Sequence, residues 1–253
     1  MKIVRDKVLN EFIDKNLYDD QSPEAIADRL KNIEKHLPYA SKNSVYRYIK
    51  SVYGRRIEAY RNKRKTRRWR RRAKGKKLED RSFIDKRPVI INKRWELGHM
   101  EADFIESGKT GKGILLIAVD RKIRIVLIEK IIKTSIENVH KAFIRIKRRF
   151  PEMKTITLDN DILFQKHKEL EELLNVKIYF CHPYHSWEKG TVENINGHIR
   201  KYIPKGSNIS EYSKQYIRSI EAKLNRRFLK CLNSLTPDEV IERHRKQKKA
   251  LKR

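Results

Sequence analysis

Between Arg55 and Lys77 the chain carries 14 Lys or Arg in 23 residues and no apolar period. Such a run repels itself and has too little apolar surface to bury, so no packed core is expected across it. It therefore splits the chain into parts that must fold on either side of it. Residues 55–87 hold 17 basic and 4 acidic side chains, net +13. Residues 1–54 are net +2, residues 88–205 net +7 and residues 206–253 net +8, within a total of +30. Solubility alone is served by a net charge of about 2–8. An excess this large and this concentrated points to nucleic acid as partner. The stretch is expected to act as a linker that orders on DNA through Arg55, Arg56, Arg61, Lys63, Arg64, Arg67, Arg68, Arg70, Arg71 and Arg72. Phosphate contacts of this kind position a protein without reading sequence. Tyr60 and Trp69 are interleaved with the charges, and Trp69 can stack on a base or anchor the linker to protein.

The remaining composition excludes several classes. A chain of 253 residues permits two domains and hardly three. Cys181 and Cys231 give neither a disulfide framework nor a paired metal spacing, so a reducing cytosol is the expected compartment. No apolar run approaches the roughly 18 residues of a membrane span. The opening residues Met1 to Asp6 lack the apolar core of a signal peptide.

Residues 1–54 read as a small all-α domain of three helices. Arg5 to Leu17 sets Val8, Leu9, Phe12 and Ile13 on one stripe. Ser22-Pro23 opens the second helix, with Ser as cap and Pro where its missing N–H costs nothing. Ile26, Ala27 and Leu30 are its apolar positions. Ser41 caps the third, in which Val45, Tyr48 and Ile49 point inward. That leaves Lys42, Asn43, Ser44, Tyr46, Arg47 and Lys50 as the polar, basic face. The pattern is that of a helix-turn-helix, whose second helix enters the major groove; an ordinary helical bundle is the plainer alternative.

From Arg87-Pro88 the texture changes. Residues 88–205 read as strands at Glu101–Glu106, Ile114–Asp120 and Arg124–Ile132, a helix from Ser135 to Phe150, a strand Thr155–Asp159, a helix Lys166–Leu174 and a strand Val176–Cys181. A hairpin of strands followed by alternating units implies a mixed α/β sheet with helices on its faces. Residues 206–253 read as C-terminal helices, with Tyr216, Ile220 and Leu224 on one stripe, a capping signature at Thr236-Pro237-Asp238-Glu239, and a disordered basic tail from Lys246.

Asp159 closes one strand, and Glu193 sits in a run that begins a helix after Pro183. Strand alternation places Glu101 and Asp103 on one face, so periodicity does not choose between them. Two strand carboxylates and one helix carboxylate can converge on a divalent cation, which takes oxygen ligands. Crowded carboxylates raise one another's pKa, and two magnesium ions would relieve that. Asp120 also ends a strand and is read as a turn or salt-bridge residue. His182, His185 and His198 with Cys181 fit no strong zinc spacing. Lys189, Arg200, Lys201 and Lys205 lie beside Glu193 and are expected on the DNA backbone, with structural salt bridges as the alternative.

Several blocks carry a resemblance: Glu101-Ala102-Asp103, Thr157-Leu158-Asp159-Asn160, Phe180-Cys181-His182-Pro183-Tyr184, and Glu193-Asn194-Ile195-Asn196-Gly197 followed by Tyr202-Ile203-Pro204-Lys205-Gly206. From about Ser22 to Glu242 the chain resembles the DDE transposases of the insertion-sequence-thirty family. Ser22–Ala27 with Ser44–Ile49 is similar to that family's DNA-binding helices. The resemblance selects Asp103 over Glu101 and implies an RNase H-like mixed five-stranded sheet behind the helix-turn-helix domain. It implies Asp103, Asp159 and Glu193 as catalytic ligands of two Mg2+ or Mn2+ ions. Water and then a 3′-hydroxyl are the implied nucleophiles. Terminal inverted repeats and target DNA are the implied substrates, acted on by a homo-oligomer with no membrane partner. Family members usually carry a further helical module ahead of this one, so end recognition is expected to be weakened or to reside elsewhere. Two positions depart from the family: Asp161 where Gly is usual, and Leu163 where Glu is usual. They leave a DNA-binding regulator with impaired catalysis as an alternative, beside an RNase H-like nuclease that does not join ends.

Overall fold

The computed structural model describes residues 1–62, 81–182 and 186–251. It divides into two compact units, Met1–Lys65 with Ala222–Arg253, and Thr66–Glu221. Trp69 and the basic positions Lys63, Arg64, Arg67, Arg68, Arg70, Arg71 and Arg72 lie outside the described residues, as do Pro183, Tyr184 and His185.

The first unit begins with α1 (Lys2–Arg5), α2 (Lys7–Tyr18), α3 (Pro23–Asn32) and α4 (Lys42–Ile49). Each of the last three has the side-chain cap that its sequence provides. Asp6 accepts from Leu9 N–H, Ser22 from Ala25 N–H and Ser41 from Ser44 N–H. Their apolar stripes close one core of Leu9, Ile13, Leu17, Ile26, Leu30, Val45, Tyr48 and Ile49. Val8 does not join it and is exposed, because Leu9, Ile13 and Leu17 already fill that face at i, i+4 and i+8.

Arg55–Asn62 forms a further helix, α5. The first eight residues of the expected linker are therefore helical. Ile57 docks this helix into the core, Tyr60 packs edge-on against Tyr18, and Arg61 donates to the carbonyl of Gln21 at 2.8 Å.

In the second unit a 3-10 turn (Ile84–Lys86) and α6 (Val89–Asn92) precede five strands: β1 (His99–Glu106), β2 (Ile114–Asp120), β3 (Val126–Ile131), β4 (Thr155–Leu158) and β5 (Lys177–Phe180). The sheet order is β3-β2-β1-β4-β5. β1–β2 and β2–β3 pair antiparallel, β1–β4 and β4–β5 parallel. This is the mixed five-stranded sheet that the sequence implies. β2 is buried along its whole length, as a continuous apolar run requires when both faces are covered. Helices α7 (Ile136–Arg149), α8 (His167–Leu174) and α9 (Gly190–Ile199) flank the sheet.

Both sheet edges are covered, which removes the unpaired rows that invite aggregation. At β3, Ile128 N–H donates to Glu221 and Ile128 C=O accepts from Arg218. At β5, Phe180 N–H donates to Ser82 C=O at 2.8 Å and Phe83 bridges to Phe180. The end of the expected linker is thus part of the sheet's edge.

The division between the units falls inside α10 (Lys214–Asn225). Its buried apolar positions are Ile217, Ile220 and Leu224, not Tyr216. The last helix, α11 (Pro237–Ala250), starts on a capping box between Thr236 and Glu239. It runs through the residues expected to be a tail, since Lys, Gln, Arg and Ala all favour helix. Where the sequence reading separates residues 206–253, the contacts join Ala222–Arg253 to the first unit.

Candidate functional site

The parallel register of β1 and β4 pairs His99 with Thr155, Met100 with Ile156 and Glu101 with Thr157. Continued along the same offset, it sets Asp159 beside Asp103. The two carboxylates meet on one ammonium. Lys189 Nζ lies 3.0 Å from Asp103 Oδ1 and 3.1 Å from Asp159 Oδ2. The Lys189 side chain is 5% exposed, against 21% for Asp103 and 41% for Asp159. Of its two expected roles, contact with the DNA backbone and a structural salt bridge, the structure shows the salt bridge. Burial, then the negative charge of Asp159, raises the Asp103 carboxyl above the ordinary carboxylate range, with Lys189 opposing. Burial alone would depress Lys189, but Asp103 and Asp159 outweigh it and hold the ammonium firmly charged.

The second oxygen of Asp103 accepts from Asn196 Nδ2 at 2.7 Å. Asn196 follows Lys189 by seven residues, and Glu193 lies between them at i+4. Lys189 immediately precedes α9 and Asn196 lies on it three residues after Glu193, so two groups at and on this helix reach Asp103. Glu193 itself is exposed. Among the described residues no three acidic, histidine or cysteine side chains gather into a metal-holding group. The structure thus brings Asp103 and Asp159 together and leaves Glu193 on the facing helix. A shared cation already satisfies the two aspartates, and hard oxygen donors of this kind fit Mg2+ or Mn2+.

Asp161 adopts φ −64° and ψ 146° and accepts from Leu163 N–H. The backbone there is ordinary, so nothing in its conformation demands glycine. Burial raises its carboxyl, and Asp159 adds to the rise. Asn160, the next residue after Asp159, bonds Arg81 Nη1 at 2.6 Å and the Cys181 carbonyl at 2.8 Å. Arg81 also lies over the Phe180 ring at 4.2 Å. Neither contact is legible in the sequence, since Arg81 falls within the stretch 55–87 that reads as a DNA-ordering linker. Asp120 is a turn residue: its carboxylate accepts from the backbone N–H of Gly98, Lys122 and Ile123.

His182 stacks on Phe83 with ring centroids 5.3 Å apart. It bonds Glu188 through Nδ1 and Asp85 through Nε2. Glu188 first, with Asp85, raises the imidazole above its ordinary 6.5. A raised folded-state value means that the contribution to stability is complete below 6.5 and is lost as pH rises through the raised value. NMR titration of the His182 ring is expected to show a midpoint above 6.5 that falls in Glu188→Gln.

Burial pushes the Cys181 thiol up to about 12, while Cys231 is exposed. An ordinary thiol titrates near 8.5, so Cys181 holds about 10³–10⁴-fold less thiolate at neutral pH. Alkylation of the folded protein is expected to mark Cys231 and spare Cys181, with both labelled after denaturation; mass spectrometry of the peptides checks it.

On the first unit, Lys42, Asn43, Tyr46, Arg47 and Lys50 are exposed on α4, and Ser44 is half-buried against Ser41. Tyr46 donates to Glu24 at 2.9 Å. Arg55 and Arg56 are exposed on α5. In the second unit Lys201 and Lys205 are exposed, while Arg200 donates to the carbonyls of Pro204 and Glu106. Among the described residues no helix is long and apolar enough to cross a membrane.

No family model matches the chain. It is 38% identical over 230 residues to the transposase for insertion sequence element IS4351 of Bacteroides fragilis, covering 87% of this chain and 69% of that protein. It is 31% identical over 205 residues to the transposase for insertion sequence element IS1086 of Cupriavidus metallidurans, covering 79% of this chain and 60% of that protein. It is 35% identical over 162 residues to the transposase InsI for insertion sequence element IS30A of Escherichia coli, covering 63% and 42%. Among solved structures, the catalytic core domain of BIV integrase overlays with a TM-score of 0.48 at 18% identity, covering 60% of this chain and 97% of that one.

Proposed function

This chain belongs to the insertion-sequence-thirty family of transposases, and on that premise we propose that it binds the terminal inverted repeats of its element and cuts and joins DNA there. The observation that carries this is the meeting of Asp103 and Asp159 on one buried ammonium, that of Lys189, which immediately precedes the helix holding Glu193. Asp103, Asp159 and Glu193 are the catalytic residues of this reading and the ligands of two Mg2+ or Mn2+ ions. Such ions, when bound, activate the attacking oxygen and stabilise the leaving one in an in-line displacement at phosphorus.

The chain's own residues do the rest. Asn196 fixes the orientation of the Asp103 carboxylate by holding one oxygen. Asn160, tied to Arg81 and to the Cys181 carbonyl, holds the chain after Asp159 against the end of β5. The nucleophile is water in cleavage and the freed 3′-hydroxyl in joining. The exposed face of α4, residues Lys42, Asn43, Ser44, Tyr46, Arg47 and Lys50, enters the major groove as the reading helix of a helix-turn-helix. Arg55, Arg56 and Arg61 with the basic stretch beyond them, and Arg200, Lys201 and Lys205 beside the site, contact phosphates. Two ends must be brought together, so the working form on DNA is a homo-oligomer acting in the cytoplasm, on the nucleoid.

The test is a duplex ending in an inverted repeat with a pre-cut 3′-hydroxyl, mixed with protein, target DNA and Mg2+. Joined product is expected. Binding without cutting or joining would replace this reading with that of a regulator, for which the acidic Asp161 beside Asp159 gives a motive. Cutting without joining would replace it with a nuclease. DNA affinity should also fall steeply with salt. Six to ten phosphate contacts lose about 10³–10⁵ between 50 and 200 mM, and a flat response would remove the basic stretch from the interface.

A further inference from the structure

We infer that Glu101 is a positioning residue, a buried carboxylate that ties the first turn of α9 to β1 and so fixes Glu193 relative to Asp103. The inference rests on the reading that Glu193 and the two aspartates hold a metal.

Helix α9 begins after Lys189, whose side chain makes no cap bond. The first turn of any helix leaves its backbone N–H groups without partners. Here two of them, Thr191 and Val192, donate to Glu101 Oε2 at 3.0 and 3.1 Å. The cap thus comes from another element. A carboxylate at this end also suits the helix dipole. The other oxygen, Oε1, lies 3.2 Å from Arg121 Nη1, with both side chains buried. Both oxygens of Glu101 are therefore engaged by the protein, which removes it as a competitor of Asp103 for the ligand role.

The same turn is held from two further loops. Arg124 and Arg94 donate to the Thr191 hydroxyl at 2.9 and 3.4 Å. Both arginines sit at positive φ, 63° and 57°, a conformation that non-glycine residues adopt sparingly and mostly where the surroundings impose it.

The spacing explains the consequence. Glu101 and Asp103 are two residues apart on one face of β1, about 6.6 Å along the strand. Val192, whose amide is held, is the neighbour of Glu193, about 1.5 Å along the helix. One carboxylate thus sets the span between two proposed ligands on different elements. Its length matters as well as its charge, because about 1 Å of misplacement can cost a hundredfold in rate.

The experiment uses the full chain and Mn2+ as probe, with binding followed by electron paramagnetic resonance. Amide exchange at Thr191 and Val192 and the melting temperature are read in parallel. Glu101→Asp keeps the charge and is one methylene shorter. It is expected to weaken Mn2+ binding about 10–100-fold, the scale typical of residues behind metal ligands, and to speed exchange at both amides. Glu101→Gln keeps an acceptor at full reach and should recover most of both losses. If Glu193→Gln weakens Mn2+ binding while Glu101→Asp leaves binding and exchange unchanged, the inference fails alone. If Glu193→Gln has no effect on Mn2+, the metal reading fails and the inference with it. Losses that merely track the melting temperature across both Glu101 variants would reduce Glu101 to a structural residue and overturn the proposal.

Discussion

Asp159→Asn is expected to leave the protein folded and bound to DNA while strand transfer falls by about three orders of magnitude, the scale of losing one preorganised charge-stabilising group. The Asp159 side chain is 41% exposed. Its pairing with Lys189 is therefore partly screened and worth little to stability, about 0–1 kcal/mol. The amide matches the carboxylate in shape and removes one of the two charges that hold the cation. Asp103→Asn should behave differently. Asp103 accepts from Lys189 on one oxygen and from Asn196 on the other. An amide there can satisfy only one of those donors and must turn its NH2 towards the other. Leaving a buried polar group unsatisfied costs about 1–3 kcal/mol, so this variant should lose activity and melt earlier. Strand-transfer yield, DNA affinity and melting temperature measured together separate the two. Equal strand transfer by wild type and Asp159→Asn, with DNA still bound, would remove Asp159 from the chemistry.

What the sequence discloses and what it hides divides along physical lines. Ser22, Ser41 and Ser135 are capping residues whose bonds reach only three positions ahead, so the starts of α3, α4 and α7 are legible locally. The run Ile114–Asp120 is legible because burial on both faces leaves nothing polar in it before its last residue. By contrast, the helix Arg55–Asn62 is hidden, since Ile57 is its one aliphatic core residue and the rest of it reads as linker. The pairing of Asp103 with Asp159 depends on β1 and β4 lying parallel and in register, which neither strand encodes alone. Lys189 reads as one more surface cation, because its enclosure is made by residues from β1 and β4. Glu101 is hidden for the same reason: helix capping is usually local, and here the cap comes from a strand ninety residues earlier. Asn196 is within reach of the sequence, since it stands three residues after Glu193 in the same helical run.

Arg29→Ala is expected to unfold the first unit more readily than any surface change. The Arg29 side chain is 9% exposed and forks onto Glu239 at 2.7 and 2.8 Å. It also bonds Glu34 through Nε at 2.9 Å and the Ser234 carbonyl at 3.2 Å, and lies over the Phe228 ring at 4.7 Å. Arg29 thus fastens α3 to α11 and to the turn before it. Burial opposes its charge, but Glu239 and then Glu34 outweigh that, so the guanidinium is held more firmly than usual. Removing one partner of a buried pair costs about 3–5 kcal/mol because the other charge is stranded. Glu239 is 34% exposed, which puts the expected loss near about 3 kcal/mol. For a unit of this size that lowers the melting transition by roughly 12–24 °C. The loss should appear in the transition that carries α4 and should take DNA binding with it at 37 °C. Pairing Arg29→Ala with Glu239→Gln should recover part of the loss, since the stranded charge is then gone. A melting temperature within a degree or two of wild type for Arg29→Ala would mean that the first unit is held by its apolar core alone, with α11 contributing nothing.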